Sequence, residues 1–410
     1  MLLDPMRLGI TGPVWLDPLR EHLPVGVALP STYSFPLVGQ LAAELMRRGH
    51  EVTVFCGSYT VSSTEFFEGG KLRVWVVPLR VQRAPYDFYA RERQLLRPLM
   101  RESGCDLIHA HWTYEFAASA QDSGLPVLVT AHDSPFAILR HFFLGAGRAV
   151  WTARALLAMK VIRQARYLTS VSPYCLEHIQ RTLRPRSKSW VVANGIDEAW
   201  SEFGKGKKKL VEKEGDKSGT FRATTVLEGF SRRKNGQKAL RAWAGVVMKN
   251  PDSRLTMLGT GYEDSGAGAW AREQGLAANV RFLGRKPQAE IQRILAEETD
   301  VLFHPSREES FGMAPLEAMA LGVPVVGGRN AGGVAYVVGN AGLLVDVENI
   351  DEMAGALLSL ARDPGMRMEL GNNGRERAGK EFSFQRMVDH YESVYANISR
   401  DAGVAQDLSK

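Results

Sequence analysis

The 410-residue sequence has few of the features that mark secreted, metal-binding or membrane-spanning proteins. Its three cysteines, Cys56, Cys105 and Cys175, lie far apart and without metal-site spacing, so free thiols in a reducing compartment are the simplest interpretation. No apolar run reaches the ~20 residues that a membrane-spanning helix needs. The first residues, MLLDP, lack the basic start and apolar core of a signal peptide. We therefore expect a cytoplasmic protein.

Charge of one sign is not in large excess either. The net charge of +6 fits an anionic small-molecule substrate or loose contact with anionic lipid, and it does not require nucleic acid. No internal repeat or low-complexity tract is found. No G-x-G-x-x-G follows the first strand, so an NAD-dependent oxidoreductase is poorly supported and no cofactor is expected. The length and the 45% hydrophobic content allow two domains with separate cores.

Residues 299–326 predict a complete strand–loop–helix–strand unit. The run Val301-Leu302-Phe303 is typical of a strand buried on both faces. A helix is predicted from Met313, because Pro315 suits a first turn where its missing N–H costs nothing. Gly322 ends this helix, and a second apolar strand follows.

The loop before this helix has the chemistry of a sugar-nucleotide site. A helix N-terminus binds phosphate through its unpaired N–H groups and partial positive charge, and Gly312 permits close approach to the backbone. Glu309 and Glu317 stand on either side of the loop, with seven residues between them. One carboxylate can hold the ribose and the other the hexose. The alternative is an ordinary βα unit with two solvated carboxylates.

The whole string resembles the Glu-x7-Glu signature of the retaining family 4 glycosyltransferases, E-x-FG-x-x-x-LEAMA-x-G-x-PVV. The matching residues are Glu309, Phe311, Gly312, Leu316, Glu317, Ala318, Met319, Ala320, Gly322, Pro324, Val325 and Val326. The resemblance spans nearly the full chain and is sharpest in the second half. It implies the α/β GT-B fold, in which two Rossmann-like domains with parallel sheets face each other across a cleft.

Alternating strand and helix segments agree with two parallel α/β halves. We expect an N-terminal acceptor-binding domain over residues 1–198 and a C-terminal nucleotide-sugar-binding domain over residues 223–382. Residues 199–222, rich in Lys, Glu and Gly, are interpreted as an exposed linker. The resemblance implies that a terminal helix, residues 383–410, returns to the N-terminal domain.

Histidines follow two predicted strands of the first half, at the carboxyl ends where parallel sheets bind ligands. A lone histidine in a loop is more often structural than catalytic. His132 is favoured as catalytic because the family carries a T-x-H-D-like element there that faces the donor sugar. His109 and His111 are weaker candidates, and His111 can serve to hydrogen-bond a neighbouring loop.

Two stretches of the first half leave alternatives open. Residues 13–36 stand where the family has a Gly-Gly loop, and Ser31, Thr32 and Tyr33 there could meet a phosphate or an acceptor. An N-cap on the following helix is the favoured interpretation. Residues 140–166 mix apolar and basic side chains, and helices packed on the sheet are favoured over a basic surface for anionic membrane.

A cationic loop, residues 230–236, follows the first strand of the second half. Cationic side chains at a strand's carboxyl end can neutralise a diphosphate and stabilise a departing nucleotide. The family pattern G-R-x-x-x-x-K is altered, because Phe230 stands where the arginine is expected. Lys234 best matches the lysine, and either Arg232 or Arg233 takes over the task of the arginine.

The resemblance implies transfer of a sugar, with retention, from a UDP- or GDP-linked donor to an unidentified hydroxyl acceptor in glycolipid, polysaccharide or cell-envelope glycan synthesis. His132 and Glu309 are the candidate catalytic residues. The candidate nucleotide-sugar-binding residues are Arg232, Arg233, Lys234, Phe311, Gly312, Met313 and Glu317. No Asp-x-Asp motif stands at a suitable strand end, so no metal is expected.

Two other functions stay open. A sugar-nucleotide epimerase shares the fold and cleaves the same bond without an acceptor. An inactive sugar-nucleotide-binding subunit is conceivable because the Gly-Gly loop is missing and the arginine is displaced. A peripheral position at the inner face of the membrane is an option, and the oligomeric state is open.

Overall fold

The computed structural model describes residues 4–33, 35–81, 83–142, 147–204, 220–259 and 266–407. They form two compact units, the first running to Ala193 and resuming at Met387, the second spanning Asn194–Arg386. Most of the expected linker over residues 199–222 lies outside the described residues, as does Phe143 of the mixed stretch 140–166.

Within the described residues, the first unit is built on an eight-stranded sheet of order β3-β4-β2-β1-β5-β6-β7-β8. Its strands are β1 (Arg7–Thr11), β2 (Glu51–Ser58), β3 (Glu65–Gly69), β4 (Leu72–Pro78), β5 (Leu107–His111), β6 (Val127–Ala131), β7 (Tyr167–Ser170) and β8 (Lys188–Val191). Its helices are α1 (Leu37–Arg47), α2 (Ala90–Arg101), α3 (Glu115–Gln121), α4 (Pro135–Phe142), α5 (Arg148–Gln164) and α6 (Pro173–Leu183), with short 3-10 helices at Asp17–His22 and Ala84–Asp87.

The first sheet departs from the expected parallel arrangement at one edge. β3 pairs antiparallel with β4, with Gly69 opposite Leu72. Gly70 takes a φ of 56°, and a tight two-residue turn of this kind reverses the chain without a crossover helix. The other strand pairs of the sheet are parallel, as predicted.

The segment before α1 does not cap that helix, so the N-cap interpretation of Ser31, Thr32 and Tyr33 is wrong. Pro36 occupies the cap position and gives no side-chain hydrogen bond. The segment is instead bound to the strand ends, since the Ser58 hydroxyl donates to the carbonyl of Ser31. The ring of Tyr33 stands edge-on to Trp112 at 5.9 Å.

Helix α5 confirms the packing interpretation of the mixed stretch. Its apolar residues Leu157, Val161 and Ile162 are buried in the core with Val129 of β6 and Leu168 of β7. Burial of these side chains is the main source of stability for such a helix. Within the described ranges, none of the helices combines the length and apolar character needed to cross a bilayer.

The second unit contains a six-stranded sheet, in the part described, of order β11-β10-β9-β12-β13-β14, with parallel pairing between neighbours. The strands are β9 (Arg222–Val226), β10 (Arg254–Leu258), β11 (Val280–Gly284), β12 (Val301–His304), β13 (Val325–Gly328) and β14 (Gly342–Val345). The helices are α7 (Gly236–Lys249), α8 (Ala267–Glu273), α9 (Gln288–Glu297), α10 (Met313–Ala320), α11 (Val334–Val338), α12 (Ile350–Arg362) and α13 (Pro364–Glu381).

The last helix, α14 (Phe384–Asp407), contributes its residues from Met387 onward to the first unit. Arg48, at the end of α1, binds the carboxylates of Asp389 and Glu392, each at 2.6 Å. Tyr395 reaches the Nδ1 of His109 in β5 at 2.8 Å. These contacts attach the helix to the first sheet.

Candidate functional site

The strand order of the second sheet determines where its ligand site lies. The order reverses between β9 and β12, and parallel sheets bind ligands at the carboxyl ends of the strands beside such a reversal. The loop after β9 carries Lys234, and the loop after β12 carries Glu309. The topology therefore brings these distant parts of the chain to one edge of the sheet.

Asn235 holds the cationic loop in place. It adopts a left-handed backbone, with a φ of 59°, which asparagine tolerates better than most residues. Its buried Nδ2 donates to the carbonyl of Pro305 at 3.1 Å and to that of Val347 at 2.8 Å. Arg307 reinforces the connection, because its backbone N–H donates to the carbonyl of Arg233 at 2.9 Å. The two loops are thus fixed to each other.

A group of charged side chains lies where the loops meet. The Nζ of Lys234 is 2.6 Å from Oε1 of Glu309, and Nη1 of Arg233 is 3.5 Å from Oε2. The Nε2 of His304, the last residue of β12, is 3.5 Å from Oε1. Arg233 also donates to the carbonyl of Glu308 at 3.0 Å. Lys234 and Arg233 together outnumber the carboxylate of Glu309, so this group attracts an anion.

Glu309 is ionised in this setting. Burial by itself would raise its pKa, but Lys234, His304 and Arg233 hold the pKa well below its ordinary value. A carboxylate with opposite charges this close keeps its charged form. It can accept hydrogen bonds from sugar hydroxyls and cannot act as an acid at neutral pH.

The start of α10 supplies backbone donors beside this group. Gly312 precedes the helix with a φ of 116°, a conformation suited to glycine. Within the described ranges, the N–H groups of Gly312, Met313 and Ala314 donate to no other group. The N-terminus of a helix with free N–H groups is suited to a phosphate.

Glu317 lies further along α10 and has a different electrostatic environment. Burial raises its pKa to about 7, and a side-chain hydrogen bond from Gln288 offsets part of that rise. Within the described residues, no cation lowers the pKa of Glu317, in contrast to that of Glu309. The two glutamates of the Glu-x7-Glu unit are therefore not equivalent.

The remaining predicted residues of the second unit take different positions. Phe311 is 3% exposed and packs edge-on against Phe382 and Tyr336, so its ring shapes the loop from within the core. Arg232 is exposed, and among the described residues its side chain forms no ion pair. Phe230, in the expected arginine position, packs against Trp270 with ring centres 5.6 Å apart.

In the first unit, His132 follows β6 and lies beside His111, the last residue of β5. His111 Nδ1 is 2.9 Å from Nε2 of His132, and Trp112 stacks on the His132 ring at 4.1 Å. His109 is buried in the core and bonds Thr130 at 2.6 Å through Nε2. This contact agrees with the alternative in which His111 hydrogen-bonds a neighbouring loop.

Sequence reasoning missed two contributors to these sites, His304 and Asn235. His304 ends the apolar run of β12, and a histidine at the carboxyl end of a predicted strand was a usable signal. Asn235 precedes a glycine at the start of a helix, a pattern that indicates a turn but not which carbonyls the amide will bind. In the part of the chain described, no group of three or more His, Cys, Asp or Glu side chains is arranged to hold a metal ion.

Two units of alternating strands and helices, each built on a mainly parallel sheet, form the α/β GT-B fold. Residues 37–200 match the family model described as Glycosyltransferase Family 4, and residues 208–377 match the one described as Glycosyl transferases group 1. The two models together cover most of both units, and the chain is a glycosyltransferase of the kind that they describe.

Similar proteins cover almost the whole chain. It is 26% identical to N-acetyl-alpha-D-glucosaminyl L-malate synthase of Bacillus anthracis, over 92% of this chain and 98% of that protein. Sucrose-phosphate synthase from Thermosynechococcus elongatus shares the fold with a TM-score of 0.74 at 18% identity, covering 96% of this chain and 99% of that one. Anabaena HepE in complex with UDP and glucose has a TM-score of 0.64 at 17% identity, with 95% and 99% covered.

Proposed function

We propose that the protein is a retaining, metal-independent glycosyltransferase that moves a sugar from a UDP- or GDP-linked donor to a hydroxyl acceptor in glycolipid, polysaccharide or cell-envelope glycan synthesis. The observation that carries the proposal is the group formed by Lys234, Arg233 and Glu309 beside the free N-terminus of α10. The solved structure of HepE with UDP and glucose supports a UDP-linked donor.

In this proposal the donor diphosphate binds where the positive charge is. Lys234, Arg233 and the N–H groups of Gly312 and Met313 stabilise the negative charge that develops on the leaving nucleotide as the sugar bond breaks. Arg233 is assigned this task in preference to Arg232, because its guanidinium reaches Glu309 while Arg232 is exposed. These groups supply the charge that a divalent cation would otherwise bring, which is why we propose that none is required.

The carboxylates hold the sugars. Glu309, kept ionised by its neighbours, accepts hydrogen bonds from the transferred hexose once the diphosphate takes Lys234. Glu317 accepts those of the ribose hydroxyls. His132 is assigned to the hexose on the resemblance of its T-x-H-D-like element.

A thermal-shift screen tests the binding step. UDP, GDP, UDP-glucose, UDP-N-acetylglucosamine and GDP-mannose are compared at a hundredfold excess over Kd, where one of them should raise the melting temperature by roughly 5 °C. Lys234→Ala should abolish this shift. The matched control Lys238→Ala removes a lysine on α7 that binds Glu348 at 2.7 Å, and it should keep the shift. Equal stabilisation by NAD would contradict the proposal.

Turnover separates transfer from the two other functions. An epimerase releases nucleotide or isomerised donor with donor alone, whereas a transferase needs an acceptor for full rate. Glu309→Gln keeps the shape and removes the charge, so a transferase should lose roughly 10²-fold or more in kcat while nucleotide binding persists. An inactive subunit would bind nucleotide but show no turnover, so Glu309→Gln would have no measurable effect on it.

Two further assays test the remaining parts of the proposal. The anomeric configuration of the product, determined by NMR, tests retention. Turnover measured in the presence of EDTA tests metal independence.

The same proposal places the protein in the cytoplasm, with the inner face of the membrane as an optional site of peripheral contact. Sedimentation with anionic phosphatidylglycerol vesicles, compared with neutral phosphatidylcholine vesicles, tests that contact. Binding that depends on anionic lipid and weakens with salt would support it.

A further inference from the structure

Two neutral histidines face each other at the carboxyl edge of the first sheet. The Nδ1 of His111 and the Nε2 of His132 are 2.9 Å apart, on neighbouring strands β5 and β6. Burial lowers the pKa of both rings below the ordinary value, and the nearby histidines lower that of His111 further. Each ring therefore carries one proton at neutral pH, so one of the two facing nitrogens donates and the other accepts.

The surroundings of His111 decide which nitrogen donates. Its other ring nitrogen, Nε2, is buried and, within the described residues, has no hydrogen-bond partner. A proton there would be a buried donor without an acceptor, which is less tolerable than an unfilled acceptor. The proton of His111 is thus on Nδ1, which donates to Nε2 of His132. His132 must then carry its own proton on Nδ1.

We propose that His111 is a positioning residue that fixes His132 as the Nδ1–H tautomer, so that His132 presents a hydrogen-bond donor to a hydroxyl oxygen of the sugar. Among the described residues, Nδ1 of His132 has no partner, which leaves it available to a ligand. This role rests on the proposed function. It makes His132 a donor to the sugar, and not a base, because its only lone pair is already engaged by His111.

The neighbours of the pair restrict both rings. Trp112 stacks on His132 with an angle of 25° between the ring planes. His109 lies against His111 with ring centres 4.0 Å apart, and His109 is itself bound by Thr130 and Tyr395. Gly12 leaves room for His111, because a Cβ on residue 12 would lie only 3.0 Å from the Cβ of His111. The geometry that selects the tautomer is therefore built into the core of the unit.

Long-range 1H–15N correlation spectra of the histidine-labelled protein read the tautomer directly, with signals assigned by comparison with His132→Gln. The wild type should show His132 as Nδ1–H. His111→Asn retains an amide donor near the Nδ1 position and should keep that pattern, whereas His111→Leu should give a mixture of tautomers. His50→Leu is the control for a lost buried histidine, because His50 binds Glu392 at the opposite edge of the sheet. It should lower stability and leave the His132 pattern unchanged.

Activity supplies the second readout. With the sugar donor found in the thermal-shift screen, His111→Leu should lower kcat/KM roughly tenfold, and His111→Asn should recover most of it. An Nε2–H tautomer for His132 in the wild type overturns the inference whether or not any variant folds. Unchanged spectra or unchanged kcat/KM in His111→Leu overturn it as well. Failure of every nucleotide sugar to bind would refute the proposed function and leave the tautomer result standing.

Discussion

The Nζ of Lys234 lies 2.6 Å from Oε1 of Glu309, although 75 positions separate them in the chain. Only 9% of the lysine side chain and 13% of the glutamate side chain are exposed. A pair so poorly solvated is favourable only when both partners are present, because each charge alone lacks water. In the proposed function, a bound diphosphate replaces the contact of Lys234 with Glu309.

The pair should show strong energetic coupling in the free protein. Lys234→Ala leaves the Glu309 carboxylate without its nearest counter-charge and should destabilise the second unit by about 3 kcal/mol. Adding Glu309→Ala should recover part of this loss, with a coupling of about 1–3 kcal/mol. Urea unfolding at pH 7 of the four proteins in the cycle measures it. Lys238→Ala, which breaks a more exposed pair, should cost no more than about 1 kcal/mol. Additive losses in the cycle would contradict the coupling.

The two neighbouring arginines should contribute unequally to nucleotide binding. Arg233 is half-buried and directed to Glu309, whereas Arg232 is exposed. Arg233→Ala should weaken UDP or GDP binding at least tenfold, since a hydrogen bond to a charged group contributes about 1.5–3 kcal/mol. Arg232→Ala should change the affinity less than about threefold. Calorimetric titration of both variants at the same salt concentration measures these affinities. A larger loss of affinity in Arg232→Ala than in Arg233→Ala would assign the diphosphate to Arg232.

The raised pKa of Glu317 gives nucleotide binding a pH dependence. Its pKa is about 7 in the free protein, and a carboxylate accepts ribose hydrogen bonds better than a carboxylic acid does. Affinity for a nucleotide sugar, whose doubly esterified diphosphate does not titrate in this range, should therefore rise as pH increases towards 7 and level off above it. Glu317→Gln should bind more weakly and lose this rise. Titrations between pH 5.5 and 8.5 test this, and an unchanged slope in the variant would remove Glu317 from the ribose site.

The same pKa affects stability with the opposite sign. Because the folded protein holds the Glu317 proton up to about pH 7, while the unfolded chain loses it near pH 4.5, the folded state binds more protons between these values. The stabilising contribution of Glu317 to the free energy of unfolding is fully present below pH 4.5 and is lost as pH rises through 7. At pH 8, Glu317→Gln should be more stable than the wild type by roughly 1–2 kcal/mol, allowing for solvent screening. Unfolding at pH 5 and pH 8 shows whether this difference depends on pH.

Glycine should be required at position 312 because of its backbone conformation, and not because a larger side chain would lack room. A Cβ there would find Pro315 at an ordinary 3.4 Å, but its φ of 116° is one that other residues rarely adopt. Gly312→Ala should cost about 1–3 kcal/mol and raise the KM for the sugar donor, because the helix N-terminus shifts. Gly355→Ala, inside α12 where a Cβ would meet none of the described residues within 4 Å, should instead stabilise the protein by about 0.5–1 kcal/mol. Calorimetric melting curves and donor kinetics compare the two, and equal effects would contradict the special role of Gly312.

Patterns that act locally were readable from the sequence. The buried run of β12, the start of α10 at Met313 and its end before Gly322 are confirmed, because strand burial, proline and glycine preferences depend on near neighbours. The Glu-x7-Glu string and the alternation of strands and helices were sufficient to indicate the fold class. The antiparallel β3 was missed because its five residues alternate between exposed and half-buried positions, and a short strand without buried residues gives a weak signal.

The sequence by itself determined the family, the two α/β units and the set of candidate residues, since these depend on short-range preferences and on motif spacing. Only the tertiary structure decided that Arg233 and not Arg232 reaches Glu309, that His304 and Asn235 belong to the site, and that His111 contacts His132. Those contacts join residues from separate loops, and the order of the strands decides which loops meet. Burial, which raises the pKa of Glu317 while charges lower that of Glu309, likewise exists only once the chain is folded.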